Sequence, residues 1–220
     1  SGFASHAEGL GTTASGNSSH AEGEGSISSG LRSHAEGQST TASGEASHAE
    51  GQNTTSSGFA SHAEGQNTRA FGENSHTEGF QTTTGNELDP TQGANAHAEG
   101  EGNIASGRAS HAEGGAVDQV GNPAPTLASG GSSHAEGVGT VASGFASHAE
   151  GGTTNITVIL GSQATGDFSH AEGLTTKASE IGSHAEGVNT IASGFASHSE
   201  GQNTTASGGG SHAEGVGTVA

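Results

Sequence analysis

The residues of this chain that could do chemistry are histidine and glutamate, and they occur together. Each of the 14 histidines has a glutamate two residues later, as in SHAEGQSTTASGEASHAEG at 33–51. On an extended strand, residues two apart share one face, so an imidazole and a carboxylate can exchange hydrogen bonds or ligate a metal together. The pairs are His6 and Glu8, His20 and Glu22, His34 and Glu36, His48 and Glu50, His62 and Glu64, His76 and Glu78, His97 and Glu99, His111 and Glu113, His134 and Glu136, His148 and Glu150, His170 and Glu172, His184 and Glu186, His198 and Glu200, and His212 and Glu214.

The spacing of these pairs predicts the fold that positions them. Ten of the thirteen intervals between successive histidines are 14 residues, and a fixed short period is the signature of a repeat fold. Each unit, S-H-A-E-G-x-x-T-x-A-S-G-x-x, contains two short candidate strands that end at glycine. We therefore predict an all-β fold, a β-solenoid of fourteen 14-residue coils that stack about 4.8 Å apart. We expect residues 1–220 to form one domain.

The composition limits the classes of protein that the chain can belong to. Hydrophobic residues make up 27% of the chain, and there is no cysteine or tryptophan, which is too little for an ordinary globular core. The net charge of −19 argues against nucleic acid and anionic membranes as partners. No apolar run is long enough to cross a membrane. The chain begins and ends within a repeat, which favours a piece of a longer fibrous protein.

Alternation along the strands assigns the faces of each coil. In SHAEG at 33–37, serine, alanine and glycine share one face, and histidine and glutamate share the other. Small residues fill the column of Ala42, which is predicted to face the interior, whereas the column of Thr41 accepts isoleucine, arginine and lysine and is predicted to face solvent. The His–Glu face is unchanged in all fourteen copies, and the interior is poor in apolar bulk. We therefore expect this face to pack on other copies of the chain in an obligate oligomer.

Three intervals are longer than 14 residues because of insertions near 80–92, 115–125 and 152–161. In all three cases the glycine four residues before the next histidine keeps its regular spacing. The extra residues are therefore all predicted to enter one part of the coil, between the first strand and the end of the second. Loops at one corner of a solenoid often bind a partner, although tolerated surface insertions would look the same. The candidate recognition residues are Glu87, Asp89, Pro90, Asp118, Asn122, Pro123, Asn155 and Ile156.

The unit resembles the head repeat of YadA-like trimeric autotransporter adhesins, whose core is S-V-A-I-G. Ser33, Ala35 and Gly37 match that core, while His34 and Glu36 replace its valine and isoleucine. The resemblance implies a left-handed parallel β-roll, a homotrimer, and a structural or adhesive head or shaft. The valine and isoleucine positions face the trimer centre in that family, so the centre here would be polar.

The resemblance also implies where the chain acts and what it binds. Similar SHAEG-bearing repeats occur in phage tail fibre proteins, so the expected location is extracellular, on a cell surface or a virion. The expected partners are the chain itself and a host-surface receptor, glycan or matrix protein.

Several roles for the His–Glu pairs remain open at this point. The structural interpretation is an interchain lattice of hydrogen bonds between the two columns, which neutralises the stacked carboxylates. A metal-binding solenoid is one alternative, with His34, Glu36, His48 and Glu50 as ligands. An ice-binding solenoid is another, but arginine, isoleucine and lysine interrupt the outward threonine column. Catalysis by serine, histidine and glutamate is disfavoured because Ser33 points away from His34. We therefore expect no enzyme activity and no cofactor.

Overall fold

The computed structural model describes residues 2–89, 91–115, 121, 123–153 and 161–220. The regular secondary structure assigned to these residues consists of β-strands, as predicted. They form two compact units, Ser1–Glu101 and Gly102–Ala220, each of which is described by itself below. Within the described part of the chain, no helix is long and apolar enough to span a membrane.

One coil consists of two short strands joined by two tight corners. In the third coil, the first strand is His34–Gln38 and the second is Thr41–Ala42. Ser39 and Ala46 turn the chain at the corners, with φ of 57° and 56°. This left-handed backbone is unfavourable for residues with a Cβ atom. Hydrogen bonds to the neighbouring coil hold the corners, since the N–H of Ala46 donates to the carbonyl of Leu31 at 2.8 Å.

The strands of the first unit form two parallel ladders in which equivalent residues pair. His6 pairs with His20 and Glu8 with Glu22, so each column of the sequence becomes a column in space. The first ladder contains β1 (His6–Leu10), β3 (His20–Glu24), β5 (His34–Gln38), β7 (His48–Gln52), β9 (His62–Ala63), β11 (His76–Thr77) and β13 (His97–Ala98). The second contains β2 (Thr13–Ala14), β4 (Ile27–Ser28), β6 (Thr41–Ala42), β8 (Thr55–Ser56), β10 (Arg69–Ala70) and β12 (Thr83–Thr84).

The second unit repeats this arrangement with seven histidine-bearing strands among its described residues. His111 pairs with His134, and Leu127 pairs with Val141. One ladder contains β15 (His111–Gly114), β17 (His134–Gly137), β19 (His148–Gly152), β21 (His170–Leu174), β23 (His184–Val188), β25 (His198–Gln202) and β27 (His212–Val216). The other contains β14 (Ile104–Ala105), β16 (Leu127–Ala128), β18 (Val141–Ala142), β20 (Gln163–Ala164), β22 (Lys177–Ala178), β24 (Ile191–Ala192) and β26 (Thr205–Ala206).

The interior of each coil is narrow and lined by small residues. Ala35, Ala42 and Ala49 are fully buried and in contact with one another. Ser33 is also buried, and its hydroxyl donates to the carbonyl oxygen of Gly30 at 2.8 Å. The predicted inward faces are therefore correct, and the inward hydroxyl of Ser33 finds a backbone partner.

Glycine allows the backbones of adjacent coils to approach closely. Gly51 has a φ of 101°, and a Cβ atom there would lie far inside 3.0 Å of the carbonyl oxygen of Gly65 in the next coil. Real Cβ atoms essentially never show contacts below that limit. The carbonyl of Gly65 also accepts the N–H of Gln52 at 2.9 Å, so the same contact carries a ladder hydrogen bond.

The insertions do not all enter the coil at one point, so that prediction is wrong for the first. Thr83–Thr84 pairs in regular register with Arg69–Ala70, so the extra residues of this coil follow its second strand. The inward hydroxyl of Thr84 donates to Ser75 at 2.7 Å, which fixes the strand at its usual position. In the other two long coils, Leu127–Ala128 and Gln163–Ala164 come after the extra residues.

Candidate functional site

Each unit carries a column of stacked histidine rings on the outward face of its first ladder. In the first unit, successive ring centroids from His6 to His97 are 4.8–4.9 Å apart. In the second unit, from His111 to His212, they are 4.7–4.9 Å apart. This spacing is that of neighbouring strands in a sheet, so the stack follows directly from the strand register.

The histidine column contacts the glutamate column, and the shortest contacts join adjacent coils. Nε2 of His48 lies 3.3 Å from Oε1 of Glu36, and Nε2 of His62 lies 3.1 Å from Oε1 of Glu50. The imidazole N–H of one coil therefore donates to the carboxylate of the coil before it. These bonds lie within one chain, so the interchain part of the expected lattice stays a prediction.

Other coils place the imidazole next to the carboxylate of the same coil. Nε2 of His170 is 3.8 Å from Oε2 of Glu172, and Nε2 of His184 is 3.6 Å from Oε2 of Glu186. About one-third of each histidine side chain is exposed, whereas Ala171 between the first pair is fully buried. The His–Glu columns therefore form an outward, accessible face of each unit.

Protonation is disfavoured at two described histidines. Burial and then the charge of His48 lower the pKa of His34, against the opposing effect of Glu36. Burial and then the charge of His184 lower the pKa of His170. Charged rings 4.8 Å apart would repel one another, so stacking adds to burial in disfavouring the charged forms of His34 and His170.

Glu50 shows the complementary effect on a carboxylate. Burial by itself would raise the pKa of Glu50, but the hydrogen bond from His62 and the charges of His48 and His62 outweigh it and lower the pKa. An ionised carboxylate that accepts a hydrogen bond from an imidazole N–H satisfies both groups. This is the pairing that the alternation of histidine and glutamate suggests.

The residues considered as metal ligands come together in the structure. The ligand atoms of His34, Glu36 and His48 lie within 4.8 Å of one another, and the same holds for His48, Glu50 and His62. Imidazole nitrogen and carboxylate oxygen are both ligands of Zn²⁺ and related ions. The column therefore offers a repeated set of nitrogen and oxygen donors.

The geometry disfavours the catalytic and ice-binding alternatives. The hydroxyl of Ser33 points into the coil and donates to a backbone carbonyl, so it is not aligned with the outward imidazole column. The outward column of the second ladder holds exposed Ile27 and Arg69 beside half-buried Thr41 and Thr55. This mixture lacks the uniform threonine surface that the ice-binding interpretation needs.

The described residues of the first insertion include an exposed tip and an internal hydrogen-bonded turn. Oδ1 of Asp89 accepts hydrogen bonds from the hydroxyl and the N–H of Thr91, at 2.6 and 3.1 Å, and these bonds lower the pKa of Asp89. Glu87 is exposed, and Leu88 at the tip is 92% exposed. Pro123 in the second insertion is also exposed. The other candidate recognition residues, Pro90, Asp118, Asn122, Asn155 and Ile156, lie outside the described residues.

Sequence reasoning missed a ladder of glutamine side chains next to the His–Glu columns. Nε2 of Gln52 donates to Oε1 of Gln38 at 2.7 Å, and Nε2 of Gln66 donates to Oε1 of Gln52 at 2.8 Å. The signal was present in the sequence, because glutamine follows histidine by four residues in these three successive coils. The ladder joins coils through side chains where the backbone ladder of the first strand ends.

The phenylalanines that recur shortly before histidine were expected to cap neighbouring turns, and in the second unit they belong to a run of exposed apolar side chains at one corner. Phe145, Phe168, Ile181 and Phe195 occupy successive coils and are 48–62% exposed. The rings of Phe145 and Phe168 meet edge to face at a centroid distance of 5.6 Å. The signal is a large apolar residue two or three positions before four successive histidines. Exposed apolar patches of this kind often mark sites of interaction.

Comparison with known protein families gives a match that covers coils in both units. Residues 7–33, 35–61, 185–211 and 199–220 match the YadA head domain repeat, in its two-copy form. No curated protein matches the chain at a significant level. The match agrees with the resemblance of the SHAEG unit to the S-V-A-I-G core.

Proposed function

The chain carries YadA-like head repeats, and from this premise we propose that it is a structural and adhesive segment of a trimeric surface adhesin. The likeness indicates an adhesin-like surface segment rather than an enzyme. The proposed setting is the cell surface, and a virion tail fibre is the alternative setting. In this role the stacked coils form a stiff scaffold, and loops and exposed side chains on it contact the target.

The observation that carries the proposal is the contrast between the outward and inward faces of the first ladder. The inward face is made of fully buried alanine and buried serine, which contribute little apolar area per coil. The outward face carries His–Glu pairs that are only about two-thirds buried, such as His62 and Glu50. Packing three such faces around an axis would bury the remaining surface and complete the lattice between chains. The number three comes from the adhesin family.

Two surfaces are proposed to contact a host receptor, glycan or matrix protein. One is the first insertion, where Glu87 and Leu88 are exposed and the hydroxyl of Thr91 donates to Asp89. The other is the apolar corner at Phe145 and Phe168. Neither surface is part of the His–Glu face, so a trimer packed on that face is expected to leave both accessible.

Sedimentation equilibrium tests the proposed assembly. A chain of 21.1 kDa should sediment as a species of about 63 kDa at micromolar concentration. Replacing Glu64→Arg in the middle of the His–Glu column should shift the distribution towards monomer, because it places a cation beside the imidazole of His76. The matched control is Thr55→Arg on the second ladder, where Arg69 already occupies the paired position.

The outcomes separate the assembly from the choice of interface. A folded monomer of wild-type chain at micromolar concentration would overturn the trimer. A trimer in which Glu64→Arg and Thr55→Arg dissociate equally would overturn the assignment of the His–Glu face as the interface. Circular dichroism of each variant establishes that the coils remain folded.

A further inference from the structure

His134 in the second unit lies between two carboxylates. Its Nε2 atom is 3.0 Å from Oε1 of Glu113 in the preceding coil and 3.8 Å from Oε2 of Glu136 in its own coil. The ladder register sets Glu113 directly beside Glu136. The three side chains are 35–42% exposed in the single chain, so an ion can reach the donor atoms before other chains pack on this face.

These separations agree with the edges of a tetrahedral metal site. Bonds of about 2.0–2.1 Å from Zn²⁺ to nitrogen and oxygen place neighbouring ligand atoms about 3.3 Å apart. The two distances from Nε2 of His134, 3.0 and 3.8 Å, lie on either side of that value. Side-chain adjustments on the order of 0.5 Å would equalise them, and the backbone ladder would stay in place.

The stacked rings argue against a simpler site in which two imidazoles hold one ion. The rings of His111 and His134 are 4.9 Å apart and within 3° of parallel. Parallel rings direct their Nε2 lone pairs along parallel lines rather than towards a common point. A site with one imidazole and two carboxylates needs less movement, because one oxygen of the preceding coil and one of the same coil already lie 3.0 and 3.8 Å from the nitrogen.

We propose that His134, Glu113 and Glu136 bind a divalent transition-metal ion, with water in the remaining position. The ion takes the place of the Nε2 proton that bridges His134 and Glu113, and it neutralises two like charges that the register holds side by side. The imidazole donor favours Zn²⁺, Ni²⁺ and Cu²⁺ over Ca²⁺ and Mg²⁺, which prefer oxygen ligands alone. The inference rests on this cluster and does not require adhesion, but the proposed trimer would enclose the site between chains.

Equilibrium titration of the full chain with Zn²⁺ at about pH 7.5, where imidazole is neutral, tests the site. We expect Zn²⁺ to bind in a background of excess Mg²⁺ and to slow hydrogen exchange in His111–Gly114 and His134–Gly137. His134→Gln should weaken the tightest binding at least tenfold and remove the protection of both strands. Glu136→Gln is a second variant with a smaller change in shape, and Glu180→Gln is the control with the same loss of charge away from the column.

Each outcome bears on the site. Weaker binding in His134→Gln and Glu136→Gln, with Glu180→Gln like wild type, supports it. Equal binding of Ca²⁺ and Zn²⁺ would show a simple counter-ion effect of the carboxylates and overturn it. Unchanged tight binding and strand protection in both column variants would overturn it as well, as would the absence of Zn²⁺ binding by the wild-type chain at millimolar concentration.

Discussion

Gly51→Ala should be strongly destabilising, because the new methyl group meets the backbone of the next coil. The carbonyl oxygen of Gly65 lies far inside 3.0 Å of the position that the Cβ atom would take, and that oxygen accepts the ladder hydrogen bond from Gln52. Forcing alanine to a φ near 101° costs about 1–3 kcal/mol. Overpacking costs about 1–3 kcal/mol more, and the strained hydrogen bond about 1 kcal/mol. We therefore expect a loss of about 5 kcal/mol in the free energy of unfolding.

The matched control is Gly25→Ala, which changes a corner glycine that has room for a methyl group. Gly25 has a φ of 67°, and the nearest atom to its Cβ position is the hydroxyl of Ser39 at 3.7 Å. Ser39 itself occupies the equivalent corner of the next coil with a φ of 57°. The expected loss is only about 1–2 kcal/mol.

Thermal unfolding followed by circular dichroism distinguishes the two variants. For a chain of this length, 1 kcal/mol corresponds to about 2–4 °C in Tm, so Gly51→Ala should lower Tm by roughly 10–20 °C. Hydrogen exchange should localise the damage to the coils on either side of Gly51. Equal effects of Gly51→Ala and Gly25→Ala would refute the argument that direct backbone contact between coils limits this position.

Three further perturbations follow from the same geometry. Ala42→Leu should cost about 1–3 kcal/mol by overpacking the thin interior, whereas Thr41→Leu on the outward column should stay within about 0.5 kcal/mol; equal losses in denaturant unfolding would contradict the assigned faces. Deleting residues 85–91 restores 14-residue spacing and should leave the circular dichroism spectrum and Tm nearly unchanged, and a large drop in Tm would show that the loop is structural. Because the pKa values of His34 and His170 are lowered on folding, the unfolded chain takes up protons first, so stability is full above about pH 6.5 and falls as the pH drops towards the folded values. Tm measured from about pH 8 to 5 checks this sign, and a Tm that rises on acidification would contradict it.

The coil and its faces were predictable because they follow from period and alternation alone. A 14-residue repeat with two short strands leaves few other folds, and alternation separates buried Ala35 from outward His34 and Glu36. The end of the first strand was less predictable. Glycine was expected to end it, yet Gly37 lies inside His34–Gln38, because a glycine with φ of 109° can stay in the parallel ladder.

Contacts between coils were harder to predict than contacts within a coil. The sequence places His48 two residues from Glu50, but the hydrogen bond of His48 goes to Glu36 in the coil before. Side-chain tilt relative to the neighbouring strand decides this choice, and the spacing in the sequence carries no information on it. The position of the first insertion was missed for a similar reason. Counting back from Gly93 does not show that the extra residues come after Thr84, which pairs in regular register with the preceding coil.

The pairing of equivalent residues in successive coils makes length an adjustable property within each unit. Because His20 lies above His6 and below His34, the upper and lower surfaces of a coil are nearly the same. Removing or duplicating a whole 14-residue segment joins surfaces that already fit, and it changes the height of the stack by one strand spacing. A one-residue change within a strand would set glutamate over alanine and turn charged side chains inwards. Recombination between near-identical repeats would therefore yield folded chains with stacks of different height. One-residue insertions within a strand would be removed by selection, because they disrupt the pairing of equivalent residues.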